Sequence, residues 1–256
     1  MKKYTFYLML AATLFACSNN QESLLAEIRS YDNSDKLGTE EGLKELASLH
    51  KAYGSKYKDI EANNFLYAAA QYYFYENNVE EAAPLLAEYI TRDDSTERFR
   101  NAAINLAILK SQSKKYNMAD ELISEVLDRD VPSAAQWQDI IKIYNNKIEE
   151  GNNTQPTDYE RLTMAHTAVG RFPEALKSLD AAISSFPEYE NKGDLIYRAG
   201  FISWEYLKDE EAAKKYYTTF LSEYPEDAKA PEVRKIIESG MLSMSNEDII
   251  KMFKGE

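Results

Sequence analysis

Side chains able to do chemistry are scarce in this 256-residue chain: two histidines, His50 and His166, and one cysteine, Cys17. General acid–base and metal chemistry need such groups in constellations. His166 falls within a helical pattern, where a packed or groove-lining role is expected. His50, in Leu46-Ala47-Ser48-Leu49-His50, is expected on a solvated face. The sequence holds no metalloprotease histidine pair, phosphate-cradling glycine loop, nucleophile elbow or dinucleotide fingerprint. Adjacent carboxylates are common, as at Glu40-Glu41, Glu80-Glu81, Asp93-Asp94, Glu149-Glu150 and Glu210-Glu211. Those at helix starts are explained by the positive end of the helix dipole. No spaced calcium loop accompanies them. No catalytic residue, metal site or cofactor is therefore assigned, and the chain is expected not to be an enzyme.

The aromatic residues are more informative. Nineteen tyrosines exceed the need of a core this size, and tyrosine joins an apolar body to a hydrogen-bonding tip. Such residues are useful at a protein surface only if rigid elements hold them there. Composition points to helices: Ala, Leu, Glu, Lys and Tyr dominate, while nine Gly and seven Pro are few. A formal charge of −13 argues against nucleic acid as a partner.

The amino terminus reads as an address. Met1-Lys2-Lys3 is followed by an apolar run from Tyr4 to Phe15, then Ala16 and Cys17. A basic start, a short apolar run and a small residue at the cut describe a secretory signal over residues 1–16. The run is short for about 30 Å of hydrocarbon. Leu14-Phe15-Ala16-Cys17 resembles the lipobox of bacterial lipoproteins, although Phe15 stands where a small residue is usual. The resemblance implies cleavage before Cys17, its lipidation, and a lipid-anchored chain at the outer membrane, on its periplasmic or its outer side. Residues 17–23 would then be the lipidated cysteine and a polar tether.

From Leu24 onward the apolar spacing is helical. Ala175, Leu176, Leu179, Ala182, Ile183 and Phe186 form one continuous stripe; Ala213, Tyr216, Tyr217, Phe220 and Tyr224 form another. Four turns open second helices alike, at Asn78-Val79-Glu80-Glu81-Ala82, Lys115-Tyr116-Asn117-Met118-Ala119, Arg171-Phe172-Pro173-Glu174-Ala175 and Asp209-Glu210-Glu211-Ala212-Ala213. Two of these helices close on Phe186-Pro187 and Tyr224-Pro225, because proline cannot continue a helix. The step from Ala82 to Ala119 is 37 residues and from Ala175 to Ala213 is 38, near the roughly 34-residue period of tetratricopeptide repeats.

The packing positions extend that likeness. Leu66, Ala69, Ala70, Tyr73, Ala82 and Leu86 fit the first hairpin, and Ala103, Leu106, Ala107, Ala119 and Ile123 the second. Leu162, Ala175, Leu179, Ala182 and Pro187 fit the third, with Thr163 and His166 departing from the pattern. Ile196, Ala199, Gly200, Ala213, Phe220 and Pro225 fit the fourth if one residue is inserted in its turn. The chain resembles tetratricopeptide-repeat lipoproteins of the Bacteroidota cell envelope. That resemblance implies an all-α fold, a right-handed α-solenoid of about four helix hairpins with capping helices. Helices are expected at Thr39–Tyr53 and Pro231–Ser239, with a last one from Asn246 to Phe253. An amino-terminal repeat half is expected over 24–132 and a carboxy-terminal one over 156–256. Between them, 133–155 would hold an extra helix, Ala134–Ile148, and a loop, within one continuous solenoid.

In the tetratricopeptide fold the first helices line a groove that receives a protein or peptide partner. Carried over by position, the groove residues are Asn64, Tyr67, Gln71, Phe74 and Tyr75, then Asn101, Ile104 and Ile108, then Tyr197, Phe201 and Trp204. The expected function is a non-catalytic scaffold in the cell envelope, of the class that includes the helical-repeat lipoprotein of the barrel-assembly machinery. The alternative is a glycan-binding accessory of nutrient uptake, with Trp204 stacking on sugar. Asp94-Ser95-Thr96 resembles a short O-glycosylation signal of Bacteroidota proteins.

Overall fold

The computed structural model describes residues 20–32, 34–92, 96–151, 153–244, 247, 250, 251 and 254. The signal segment, Cys17, Asp94, Ser95 and the Asn246 cap therefore lie outside the described residues. Everything described is helix, turn or loop, with no strand. The architecture is all-α and built from antiparallel hairpins, in two compact units that divide between Pro132 and Ser133.

The first unit runs α1 (20–29), α2 (Glu40–Lys56), α3 (Ile60–Tyr75), α4 (Val79–Ile90), α5 (Thr96–Gln112) and α6 (Tyr116–Arg129). Residues 20–23 belong to α1 rather than to a tether. Gln21 donates to the Tyr53 hydroxyl at 2.9 Å and to Asp59 at 2.7 Å, which ties this turn to α2 and α3. Helix starts are capped as their sequences predict: Thr39 accepts from the Gly42 amide at 3.0 Å and Asp59 from the Ala62 amide at 2.7 Å. The core joins Leu66, Ala69, Ala70 and Tyr73 of α3 to Ala82, Leu86 and Tyr89 of α4 and to Ala102 and Leu106 of α5. Alanines at the crossings let the helices approach, and the tyrosines and leucines fill the space beside them. Gly54 marks an extreme of that approach. A Cβ there would sit 2.7 Å from the Leu66 backbone nitrogen.

The second unit runs α7 (Ala134–Glu149), α8 (Pro156–Ala168), α9 (Phe172–Ser185), α10 (Lys192–Phe201), α11 (Glu210–Glu223) and α12 (Ala230–Glu238). Helix α7 opens on a capping box between Ser133 and Gln136. It packs along α8 and so belongs to this unit instead of standing apart with the loop that follows it. Trp137, Ile140, Ile141 and Tyr144 are buried, as their shared face requires. A buried ion pair locks the two helices: Lys147 of α7 meets Asp158 of α8 at 2.6 Å, both side chains at most 6% exposed. The same carboxylate accepts from the Gln155 amide at 2.7 Å and closes the start of α8.

All four hairpin turns share one backbone design. Asn77, Lys114, Gly170 and Lys208 each adopt positive φ, between 53° and 72°, and end the first helix. In three of them the next amide reaches back five residues, as Asn78 to Tyr73, Lys115 to Lys110 and Arg171 to His166. In the fourth, Asp209 reaches back six, to Ser203. The extra residue is not in the turn, where the sequence reading put it. It is absorbed in the helix, whose end becomes a π-helical turn over Ile202–Tyr206. Leu207 there donates to Ile202 at 3.1 Å.

Candidate functional site

Helices α3 and α5 lie alongside each other in the first unit, and their surface residues pair across at a constant offset. Arg98 donates to the Asn64 carboxamide, Asn101 to the Tyr67 hydroxyl at 3.3 Å and Asn105 to Gln71 at 3.0 Å, each pair 34 residues apart. The Arg98 guanidinium also lies 5.6 Å from the centre of the Tyr67 ring, which packs on the Tyr89 ring at 4.9 Å. The result is a strip of cross-braced amides and aromatic rings held on two rigid helices.

Of the residues expected to face a partner, Asn64, Tyr67, Gln71 and Asn101 take part in these pairs. Asn64 is exposed, while Tyr67, Gln71, Phe74, Asn101 and Ile108 are half-buried. Tyr75, at the end of α3, is 77% exposed and meets Phe74 edge-on at 5.6 Å. Ile104 is the exception. It is 1% exposed and offers a partner nothing. The reason is the breadth of the buried arc of α5, where residues 102–104, 106, 107 and 109 are all enclosed. Between residues 101 and 109 only Asn101, Asn105 and Ile108 are not enclosed, so Asn105 takes the place given to Ile104. The 34-residue offset from Gln71 could have found it.

A comparable strip crosses α10 and α12 in the second unit. Asp194 pairs with Lys229 at 2.6 Å, and the Tyr197 hydroxyl reaches Glu232 at 3.4 Å, both 35 residues apart. Burial and the Glu232 carboxylate push the Tyr197 phenol above its ordinary pKa, so it stays a neutral donor. Asp194, Tyr197 and Lys229 line a shallow hollow of about 360 Å³ with Glu160, Asn191 and Arg198. Phe201 is 38% exposed and meets Tyr206 edge-on at 5.9 Å. Trp204 is half-buried against the cluster built around Tyr217 and Phe220. The sequence reading missed Asp194, Lys229 and Glu232, whose roles depend on a neighbouring helix.

His50 does not lie on a solvated face. It stacks on Phe65 at 4.6 Å, nearly parallel, and burial pulls its pKa down to about 4. Burial also lowers His166, with Glu174 opposing and Arg171 reinforcing the shift. Among the described residues no group of His, Cys, Asp and Glu is placed to hold a metal ion, and no helix is long and apolar enough to cross a membrane.

No curated protein matches the chain. Similar solved structures include MamA of AMB-1, at 20% identity over 82% of this chain and 94% of that one, with a TM-score of 0.30. Pseudomonas aeruginosa pilF is 16% identical over 75% and 92%, with a TM-score of 0.30. A putative kinesin light chain from Podospora anserina, with nearly identical TPR-like repeats, is 13% identical over 81% and 97%, with a TM-score of 0.28. Residues 194–227, which span α10, the π-helical turn and α11, match the tetratricopeptide repeat family model.

Proposed function

We propose that this chain is a non-catalytic, lipid-anchored scaffold of the bacterial cell envelope that holds a protein partner on the exposed strips of its first helices. It would support assembly of an outer-membrane or periplasmic complex. The observation that carries this reading is the run of 34-residue pairs from Asn64–Arg98 to Gln71–Asn105, next to the exposed Tyr75. Braced polar groups are pre-ordered, so a partner would spend little entropy in fixing them. Exposed tyrosine beside them has the character of an interface hot spot. The lipid anchor rests on the segment ending at Cys17. The glycan alternative would need the Trp204 ring free, and Trp204 is half-buried against the cluster around Tyr217 and Phe220.

The test is cross-linked affinity purification from membranes, comparing the unaltered chain with Tyr75→Ser and with Phe201→Ser. Both positions are exposed, so neither change should disturb folding. Loss of the same co-purified protein from at least one variant is expected; an unchanged set would end the strip assignment. Separately, Cys17→Ser should move the chain from the membrane fraction to the soluble one. Continued sedimentation with membranes would count against the anchor.

A further inference from the structure

The facing sides of α7, α8 and α9 in the second unit leave a cleft of about 430 Å³, within the size range of small-molecule sites. Ile141 and Leu162 are among its apolar lining, and Arg171, Glu174 and Lys177 stand along its α9 side. His166 also lines it. This residue is only 6% exposed, and its Nδ1 is buried with no hydrogen-bond partner. Burial keeps the ring neutral near pH 7, so it carries one N–H. A buried N–H without an acceptor is costlier than an idle lone pair, which places the hydrogen on Nε2 and makes the ring a donor.

The charges along the cleft have the same preference. Arg171 and Lys177 form no ion pair among the described residues, although the chain carries a net charge of −13. Glu174 stands with them and leaves a local surplus of one positive charge. One surplus charge suits a single carboxylate, while a dianion would meet Glu174 unfavourably.

We propose that this cleft binds a small organic monocarboxylate, with its hydrocarbon body against Ile141 and Leu162 and its carboxylate toward Arg171, Lys177 and His166. This site lies apart from the paired strips and does not depend on the scaffold reading.

The experiment uses the full chain, with the His166 ring proton followed by NMR while hexanoate, hexanol or hexylammonium is added; His50→Gln assigns the two histidine signals. Hexanoate should shift the His166 signal saturably, with hexanol at least about tenfold weaker for want of the charge-assisted bonds. The double variant Arg171→Gln/Lys177→Gln should weaken hexanoate by at least about tenfold, and Glu174→Gln should strengthen it. Both cations are exposed, and an unchanged urea midpoint by tryptophan emission in the ligand-free double variant reports an intact second unit. Equal binding of hexanol and hexanoate, a shift that never saturates, or an unaffected double variant would overturn the proposal.

Discussion

Removing either end of the Lys147–Asp158 pair should cost far more than removing both. At 2.6 Å, with the two side chains at most 6% exposed, each charge has given up water for the other. In an effective dielectric near 20 their attraction at this separation is worth about 6 kcal/mol. Desolvation opposes it by several kcal/mol per ion, so the net worth of the intact pair is small. Lys147→Met strands a carboxylate that keeps only the Gln155 amide as donor. Asp158→Asn keeps that cap but strands an ammonium. Each single variant should lose about 3–5 kcal/mol, the range for breaking a buried pair. Lys147→Met/Asp158→Asn should recover to within about 1–2 kcal/mol of the parent, giving a coupling of at least about 4 kcal/mol. Both tryptophans, Trp137 and Trp204, lie in the second unit, so tryptophan emission during urea unfolding reports the unit under test. A coupling below about 0.5 kcal/mol would be that of a surface pair, and the account of this helix junction would fail.

Three further outcomes follow from other contacts. His50 is held near 4 while its unfolded value is about 6.5. The unfolded chain thus takes up the proton first, and stability falls as pH drops through that window. Between about pH 7 and pH 5 the shift corresponds to about 2 kcal/mol, discounted to about 1 for partial exposure; denaturation of the parent against His50→Gln isolates it, and parallel pH profiles would refute it. Gly54→Ala should destabilise the first unit by about 1–3 kcal/mol, since the new methyl meets Leu66 backbone that cannot rotate away, and thermal unfolding measures this. Lys114→Gly and Lys208→Gly should each stabilise by roughly 0.5–1 kcal/mol, because a residue with a Cβ is disfavoured at the positive φ both hold; unchanged midpoints would refute that.

What the sequence made legible was whatever depends on near neighbours. Helix α2 begins at the Thr39 cap and α7 at Ala134 because caps and apolar spacing are local signals. The alanines at 69, 70, 82, 175 and 213 are buried because each sits mid-stripe on its own helix. Ile104 and His50 failed for a shared reason. Each looks peripheral by its own helix, and a second helix, or a ring such as Phe65, encloses it. The rungs Arg98 and Asn105 were invisible for the converse reason, since a polar residue on a solvated arc gains a role only when another helix places an acceptor opposite. Repeat spacing carries that information, but only once the period is known to be 34 on this surface.

The widened turn at Ile202–Tyr206 bears on how such arrays change length. A surplus residue in the connector would have re-aimed the whole following helix and broken its seat against the preceding hairpin. Held inside the rod, it adds a local bulge, and the connector keeps the shape it has at the other three hairpins. Insertions and deletions can therefore accumulate in the rods of such a protein without disturbing its joints. Excising one residue from 202–206 should return that rod to ordinary α-helical winding and leave its partner helix seated as before.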